Sequence, residues 1–350
     1  MSEIGQLGAG PELEHGILQR DIVVIGASAG GVEALRGLAA GLPPELPAAV
    51  FVVLHVLPSG TSLLPQILAR QTPLAVAAAE DGEPIERGRI YVAPPDHHML
   101  VERGRVRLTR GPRENGHRPA VDPLFRSAAR AYGQRVIGVV LSGALDDGAA
   151  GLKIVSENGG TAVVQDPADA LYPSMPRSAL AGDATARAIP LGEMPAALCS
   201  MIDEPLERLA RAAPRREPSI GPGTHDDRAD DADPRSGTIT GLTCPECGGA
   251  LWEHDETGVP RFKCHVGHAY SADSLEVSQA QALESALWAA MRSLQERADM
   301  FRRLARRSGD GQRLDAKAKD ADSHADMLRS LVTSFGREPG DSGEAGEATG

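Results

Sequence analysis

The chain has 350 residues, a formal net charge of −12 and an aromatic content of 3%. An acidic balance of this size argues against general nucleic-acid binding, and no apolar run approaches membrane-spanning length. Four cysteines, three of them clustered, are too few for a disulfide framework in a chain this long; they point to a metal site and a cytoplasmic location.

Residues 1–20 carry acids and no apolar core, so they read as an extension rather than a signal peptide. Ile22 to Ile25 form a β-branched run that predicts a buried strand, and Val32 to Leu38 predict a helix stopped at Gly41 and Pro43. Between them lies Gly26-Ala27-Ser28-Ala29-Gly30-Gly31. Such a turn serves three ends. It cradles a phosphate, it simply connects strand to helix, or it exposes a serine Oγ beside backbone N–H groups as a nucleophile. The dinucleotide fingerprint wants Gly where Ser28 stands, which counts against the phosphate loop.

The next strand, residues 49–56, ends in His55. A histidine there is either a satisfied core residue or, at the carboxyl edge of a parallel sheet where sites form, a base for Ser28. A third strand over Val136 to Leu141 runs into a turn with Asp146 and Asp147, followed by a helix from Ala149 to Glu157. The two acids cap that helix, bind a metal or complete a triad. The order Ser…His…Asp is not that of an α/β hydrolase, which is Ser…Asp…His. Of the weaker candidates, Asp96-His97-His98 read as cleft lining or a polar turn, and Arg103, Arg105 and Arg107 as one face of a hairpin.

The segments VVIGASAGGVEAL, FVVLHV, YVAPPDHHMLV, HRPAVDPLFRSAA, VVLSGALDDGAAGL and YPSMPRSAL occur in order from about residue 20 to 200. Together they resemble the catalytic domain of CheB-type protein-glutamate methylesterases. The resemblance implies an α/β fold with a doubly wound, mostly parallel sheet. It implies Ser28 as nucleophile, His55 as general base and acid, and Asp147, which directly precedes the Gly of the turn, as the residue that orients the imidazole. It further implies hydrolysis of glutamate γ-methyl esters on chemoreceptor-type proteins with release of methanol, glutamine deamidation in some members, and no catalytic cofactor. Oxyanion and substrate contacts are expected from Ala29, Ala144 and Met175. Two positions depart from the family: Ala144-Leu145 stand where Met-Gly is usual, and Ala29 where Thr is frequent.

The methylesterase-like domain is expected over residues 21–210. About twenty residues before it are too few for a receiver domain of on the order of 100 residues, so regulation is expected to come from elsewhere. Residues 211–240 are rich in Pro, Gly and charge and read as a linker. Residues 241–272 carry Cys244-x2-Cys247-x16-Cys264-x3-His268, the spacing of a zinc ribbon with a closed structural site. His265 is an alternative fourth ligand, Trp252, Phe262 and Tyr270 are the expected small core, and Cys199 is a core residue of a separate helix. Residues 273–336 predict a helical hairpin, with Leu287, Met291, Leu294, Ala298, Phe301 and Ala305 on one stripe and Leu314 to Leu331 on the other. The hairpin packs on itself or offers a face to a partner or a second copy. Residues 337–350 read as an acidic tail. An adaptor that keeps the fold and binds partners through this C-terminal module is the alternative to an esterase.

Overall fold

The computed structural model describes residues 19–58, 60, 62–206, 234–256, 258–307 and 310–335. Most of the expected N-terminal extension, residues 211–233 of the expected linker and the acidic tail lie outside the described residues.

The β-branched run forms β1 (Ile22–Ala27), followed by α1 (Gly31–Ala40) and β2 (Ala49–Leu54). Then come α2 (Leu64–Ala69), β3 (Ala75–Ala78) and β4 (Arg89–Val92). A hairpin of β5 (His98–Glu102) and β6 (Arg105–Thr109) precedes α3 (Val121–Tyr132). The second half runs through β7 (Val136–Val140), α4 (Ala149–Glu157), β8 (Thr161–Gln165), α5 (Ser174–Gly182), β9 (Arg187–Ile189) and α6 (Met194–Asp203).

Seven of these strands form one parallel sheet in the order β3-β4-β2-β1-β7-β8-β9. β1, β2 and β7 are buried along their whole length. Both faces of the sheet are therefore covered, which explains continuous apolar runs without alternation. One face packs Leu35, Leu38, Leu68 and Leu198 from α1, α2 and α6; the other packs Leu124, Phe125, Leu152 and Ala179 from α3, α4 and α5. The chain winds outward from β1 through β2 to β3, then returns to lay β7 on the other side of β1. That reversal is the switch point, where a crevice opens beyond the carboxyl ends of the strands.

The end of β1 is held in register by His55 N–H donating to Ala27 C=O (3.1 Å) and Ser28 N–H to Ser142 C=O (3.0 Å). Gly30 (φ 70°) turns the chain in the left-handed region, and a Cβ on Gly31 would meet Ala27 Cβ at 2.7 Å. These two glycines let α1 start directly against the sheet.

Further along the chain, β10 (Thr238–Thr243), β11 (Ala250–Glu256), β12 (Val259–Cys264) and β13 (Ala269–Tyr270) form a four-stranded antiparallel sheet. Its first strand begins at Thr238, inside the segment expected to be linker. Its core is Cys244, Leu251, Cys264, Tyr270 and Leu275, with Phe262 against it. Trp252 is not part of that core: it stands on the opposite face of β11 from Leu251 and is half-buried there. α7 (Ala272–Ala305) and α8 (Gly311–Phe335) follow. Residues through Leu275 belong to one compact unit and those from Glu276 to a second. Within the second, Ala298 and Phe301 of α7 pack on Ala318 and Ala321 of α8, and Lys317 sits over the Phe301 ring. Among the described residues no helix is long and apolar enough to cross a membrane.

The turn after β7 carries Leu145 at φ 61°, in the left-handed region that favours Gly. A side chain there costs about 1–2 kcal/mol, of which the greater unfolded-state freedom of Gly would return part. Leu145→Gly is expected to raise the unfolding free energy by about 1 kcal/mol in urea titration; an equal or lower value would show that the turn is not strained.

Candidate active site

Ser28 follows β1, His55 follows β2 and Asp147 lies in the turn after β7, three neighbouring strand ends at the switch point. Ser28 Oγ lies 3.1 Å from His55 Nδ1, and His55 Nε2 lies 2.7 Å from Asp147 Oδ2. With Asp147 ionised, Nε2 carries the proton and donates to it, leaving Nδ1 to accept the Ser28 hydroxyl proton.

Asp147 is 2% exposed. Its Oδ2 also accepts Val121 N–H (2.7 Å), and its Oδ1 accepts Asn115 Nδ2 (2.9 Å) and Asp122 N–H (3.2 Å). Burial opposes its charge, but the hydrogen bond and charge of His55 outweigh that, and Val121 N–H adds to them, holding the carboxyl well below its ordinary range. Asp122 is the reciprocal case. Its Oδ1 accepts Gly148 N–H (3.1 Å) and Gly151 N–H (2.8 Å) at the start of α4. Burial lifts its carboxyl to about 6, with Arg261 opposing the rise and Asp147 adding to it. Neither α3 nor α4 has a side-chain cap from its own N-cap residue. Each is capped instead by the acid associated with the other, which ties the two helices and the triad into one unit.

Of the two acids in the turn, only Asp147 reaches His55. Asp146 Oδ1 accepts the hydroxyls of Ser271 (2.8 Å) and Ser274 (2.9 Å). The Ala29 and Ala144 N–H groups have no hydrogen-bond partner among the described residues, whereas Gly143 N–H is taken by Tyr172 C=O (2.9 Å). Met175 is fully buried, and a Cβ on Gly143 would meet its Sδ at 2.0 Å. Its place is behind the Gly143 turn, not on an open groove. Leu54 and Val56, on either side of His55, line an apolar cleft of about 380 Å3 with Val32, Leu57 and Leu63.

Residues 96–98 are held by polar partners, next to Pro95, which lines the same cleft. Asp96 is paired with Arg110 and Arg118, which hold its carboxyl down at about 2. His98 is buried, with Nε2–H donating to Pro112 C=O (2.9 Å) and Nδ1 accepting Ala120 N–H (3.3 Å). Arg105 and Arg107 pair with Glu102.

His117 and Asn115 are site residues that sequence reasoning missed. His117 stacks on His55 with ring centroids 3.7 Å apart and planes 11° off parallel. The segment HRPAVDP was noticed as a motif, yet nothing local to it signals a ring over His55. Asn115 stands at φ 51°, which an Asn tolerates better than most residues.

The Cys244, Cys247 and Cys264 sulfurs and a His268 ring nitrogen all lie within 4.8 Å of one another. Cys247 Sγ and Cys264 Sγ are 3.6 Å apart, and His268 Nδ1 is 3.5 Å from Cys264 Sγ and 3.6 Å from Cys244 Sγ. Zn–S and Zn–N bonds of about 2.3 and 2.0 Å in a tetrahedron give donor separations of roughly 3.5–3.8 Å, so the donor set fits such an ion. His265 is exposed and lies outside this cluster. Cys199 sits apart, half-buried against the α6 side of the main core.

A sequence model of the CheB methylesterase family matches residues 23–198. The chain belongs to the CheB methylesterase family. The crystal structure of the CheB methylesterase catalytic domain of Thermotoga maritima matches with TM-score 0.50 and 34% identity, over 53% of this chain and all of that one. The protein-glutamate methylesterase/protein-glutamine glutaminase 2 of Anaeromyxobacter dehalogenans is 42% identical over 178 residues, 51% of this chain and 52% of that one. The protein of the same name from Pseudomonas aeruginosa is 40% identical over 195 residues, 54% of this chain and 56% of that one. The chain spans about half the length of these two CheB relatives. The family match ends before the Cys3His module and the long helices.

Two predictions follow from this geometry. Burial, with the His55 charge adding to it, lowers the His117 imidazole from 6.5 to about 4. Between those values the unfolded chain binds a proton that the folded chain refuses, so stability falls as pH drops from 6.5 to 4. His117→Phe keeps a ring over His55 and is expected to flatten that fall, read as Tm against pH; an unchanged slope would refute the assignment. For the metal site, purified protein is expected to carry one zinc per chain by elemental analysis, and Cys264→Ser to lose it. Zinc-free, folded wild type would contradict this.

Proposed function

We propose that the chain is a protein-glutamate methylesterase acting on methylated chemoreceptor-type proteins through a Ser28-His55-Asp147 triad. The observation that carries the reading is the continuous hydrogen-bonded line from Ser28 Oγ through His55 to the buried Asp147. Ser28 Oγ attacks the γ-ester carbonyl while His55 Nδ1 takes its proton. The Ala29 and Ala144 N–H groups face the developing oxyanion. His55 returns the proton to the leaving methoxide, and methanol departs. Water, deprotonated by the same nitrogen, then attacks the acyl-enzyme and frees the glutamate carboxylate and Ser28. Asp147 holds the tautomer and stabilises the imidazolium. The same steps on a glutamine side chain release ammonia, in keeping with the paired names of the relatives.

The rim suits a protein substrate. Leu57, Leu63, Leu171 and Tyr172 are exposed at the carboxyl edge of the sheet, an apolar border on which a partner's amphipathic helix can lie. The chain is proposed to act in the cytoplasm, where such receptor helices are reached.

The test is methanol release by the full chain from methylated receptor cytoplasmic fragments. Wild type is expected to release methanol, Ser28→Ala to release none above blank, and Asp147→Asn to be slower by about 10^3- to 10^4-fold. No release by folded wild type from any methylated receptor of its own organism would overturn the reading in favour of an adaptor.

A further inference from the structure

Arg261 is the largest fully buried side chain among the described residues, 1% exposed. It comes from β12 of the Cys3His module, outside the family match, yet its guanidinium lies among residues of the loop that leads into α3. Its Nη1 donates to Asn115 Oδ1 (3.0 Å) and lies 3.1 Å from Asp122 Oδ2; its Nη2 donates to Glu114 Oε2 (3.2 Å). A buried cation needs such partners, and Asp122 and Glu114 in turn need a cation; Arg126 supplies Glu114 with a second one, at 2.6 Å from its other oxygen.

Asn115 connects this cluster to the triad. Its Oδ1 accepts from Arg261 and from Ser271 N–H (3.0 Å), while its Nδ2 donates to Asp147 Oδ1 (2.9 Å) and Asp122 Oδ2 (3.2 Å). The two donors from the module fix which way round the amide sits. The reversed amide would turn its NH2 toward a guanidinium and its oxygen toward two carboxylates. Asn115 N–H also donates to Ala269 C=O at 2.7 Å, so β13 and the Asn115 loop hold each other by backbone as well. Asp146 takes the Ser271 and Ser274 hydroxyls. The module thus grips both the turn that carries Asp147 and the loop that supports it.

We propose that the Cys3His module is a built-in support of the triad, with Arg261 and Ser271 as positioning residues that hold Asn115 and Asp122 against Asp147. This rests on the esterase reading. Arg261 stands three residues before Cys264 and Ser271 three after His268, so the same knot of ligands places both.

The experiment compares full-length wild type, Arg261→Ala, Arg261→Lys and Glu246→Gln, with Ser28→Ala as blank. Glu246 contacts Arg113 at the rim of the same seam and does not touch Asn115. Three readouts are taken on protein shown to be folded by circular dichroism. They are kcat and KM for methanol release, the rate of Ser28 labelling by a fluorophosphonate, and the low-field proton resonance of His55 Nε2–H bonded to Asp147. Arg261→Ala is expected to lower kcat and labelling by on the order of 100-fold, leave KM within about twofold, and shift or abolish the resonance. Arg261→Lys keeps the charge without the fork and is expected to recover part of both; Glu246→Gln is expected to match wild type. The proposal falls if folded Arg261→Ala keeps wild-type kcat and resonance. It falls equally if lost activity only tracks the unfolded fraction while the resonance of the folded remainder is unchanged. If wild type neither releases methanol nor takes the label, the esterase reading fails instead, and the resonance alone still decides whether Arg261 acts on Asp147.

Discussion

One buried carboxylate sets the terms for the rest of this structure. Asp147 lies where water does not reach, and an ion there without partners would cost several kcal/mol. Four donors converge on it: the His55 ring, the Asn115 amide and the first backbone N–H groups of α3. The four donors come from three separate stretches of chain, so all three must be in place together. Strand register at the switch point, the start of α3 and the left-handed turn at Asn115 all serve this arrangement. The carboxylate in turn keeps one proton fixed on the far side of the imidazole from Ser28.

Much of this was legible in the sequence, for identifiable reasons. β1, β2 and β7 announce themselves because a parallel strand covered on both faces is apolar throughout. Ser28 and His55 stand out because they interrupt such runs at the edge where parallel sheets place their sites. The choice of Asp147 over Asp146 came from the family resemblance, in which the acid directly precedes the Gly of the turn, and not from the two residues themselves. In residue type and burial preference the two adjacent acids are alike, and the packing partners, His55 for one and Ser271 with Ser274 for the other, give them separate places. His117 and Asn115 escaped for a related reason. They act through contacts made across the fold, and the loop that carries them has no periodicity to read.

The Cys3His module shows a different limit. Its ligand spacing is a local property and is legible; its core is less so. Trp252 looks like a core residue by size, but the strand's alternation gives the inward place to Leu251. Arg261 looks like an ordinary surface cation on a strand between Pro260 and Phe262. Of the acids around it, Glu256 is five residues away, but Glu114 and Asp122 are more than a hundred residues away in the chain, and no window around Arg261 contains them.

The face-to-face pair of His55 and His117 has a consequence of its own. Two imidazolium rings with centroids 3.7 Å apart would repel strongly in a site this dry. The pair therefore accommodates one positive charge and excludes a second. In the proposed mechanism that single charge belongs to His55, so the ring stacked on it is the one that stays neutral.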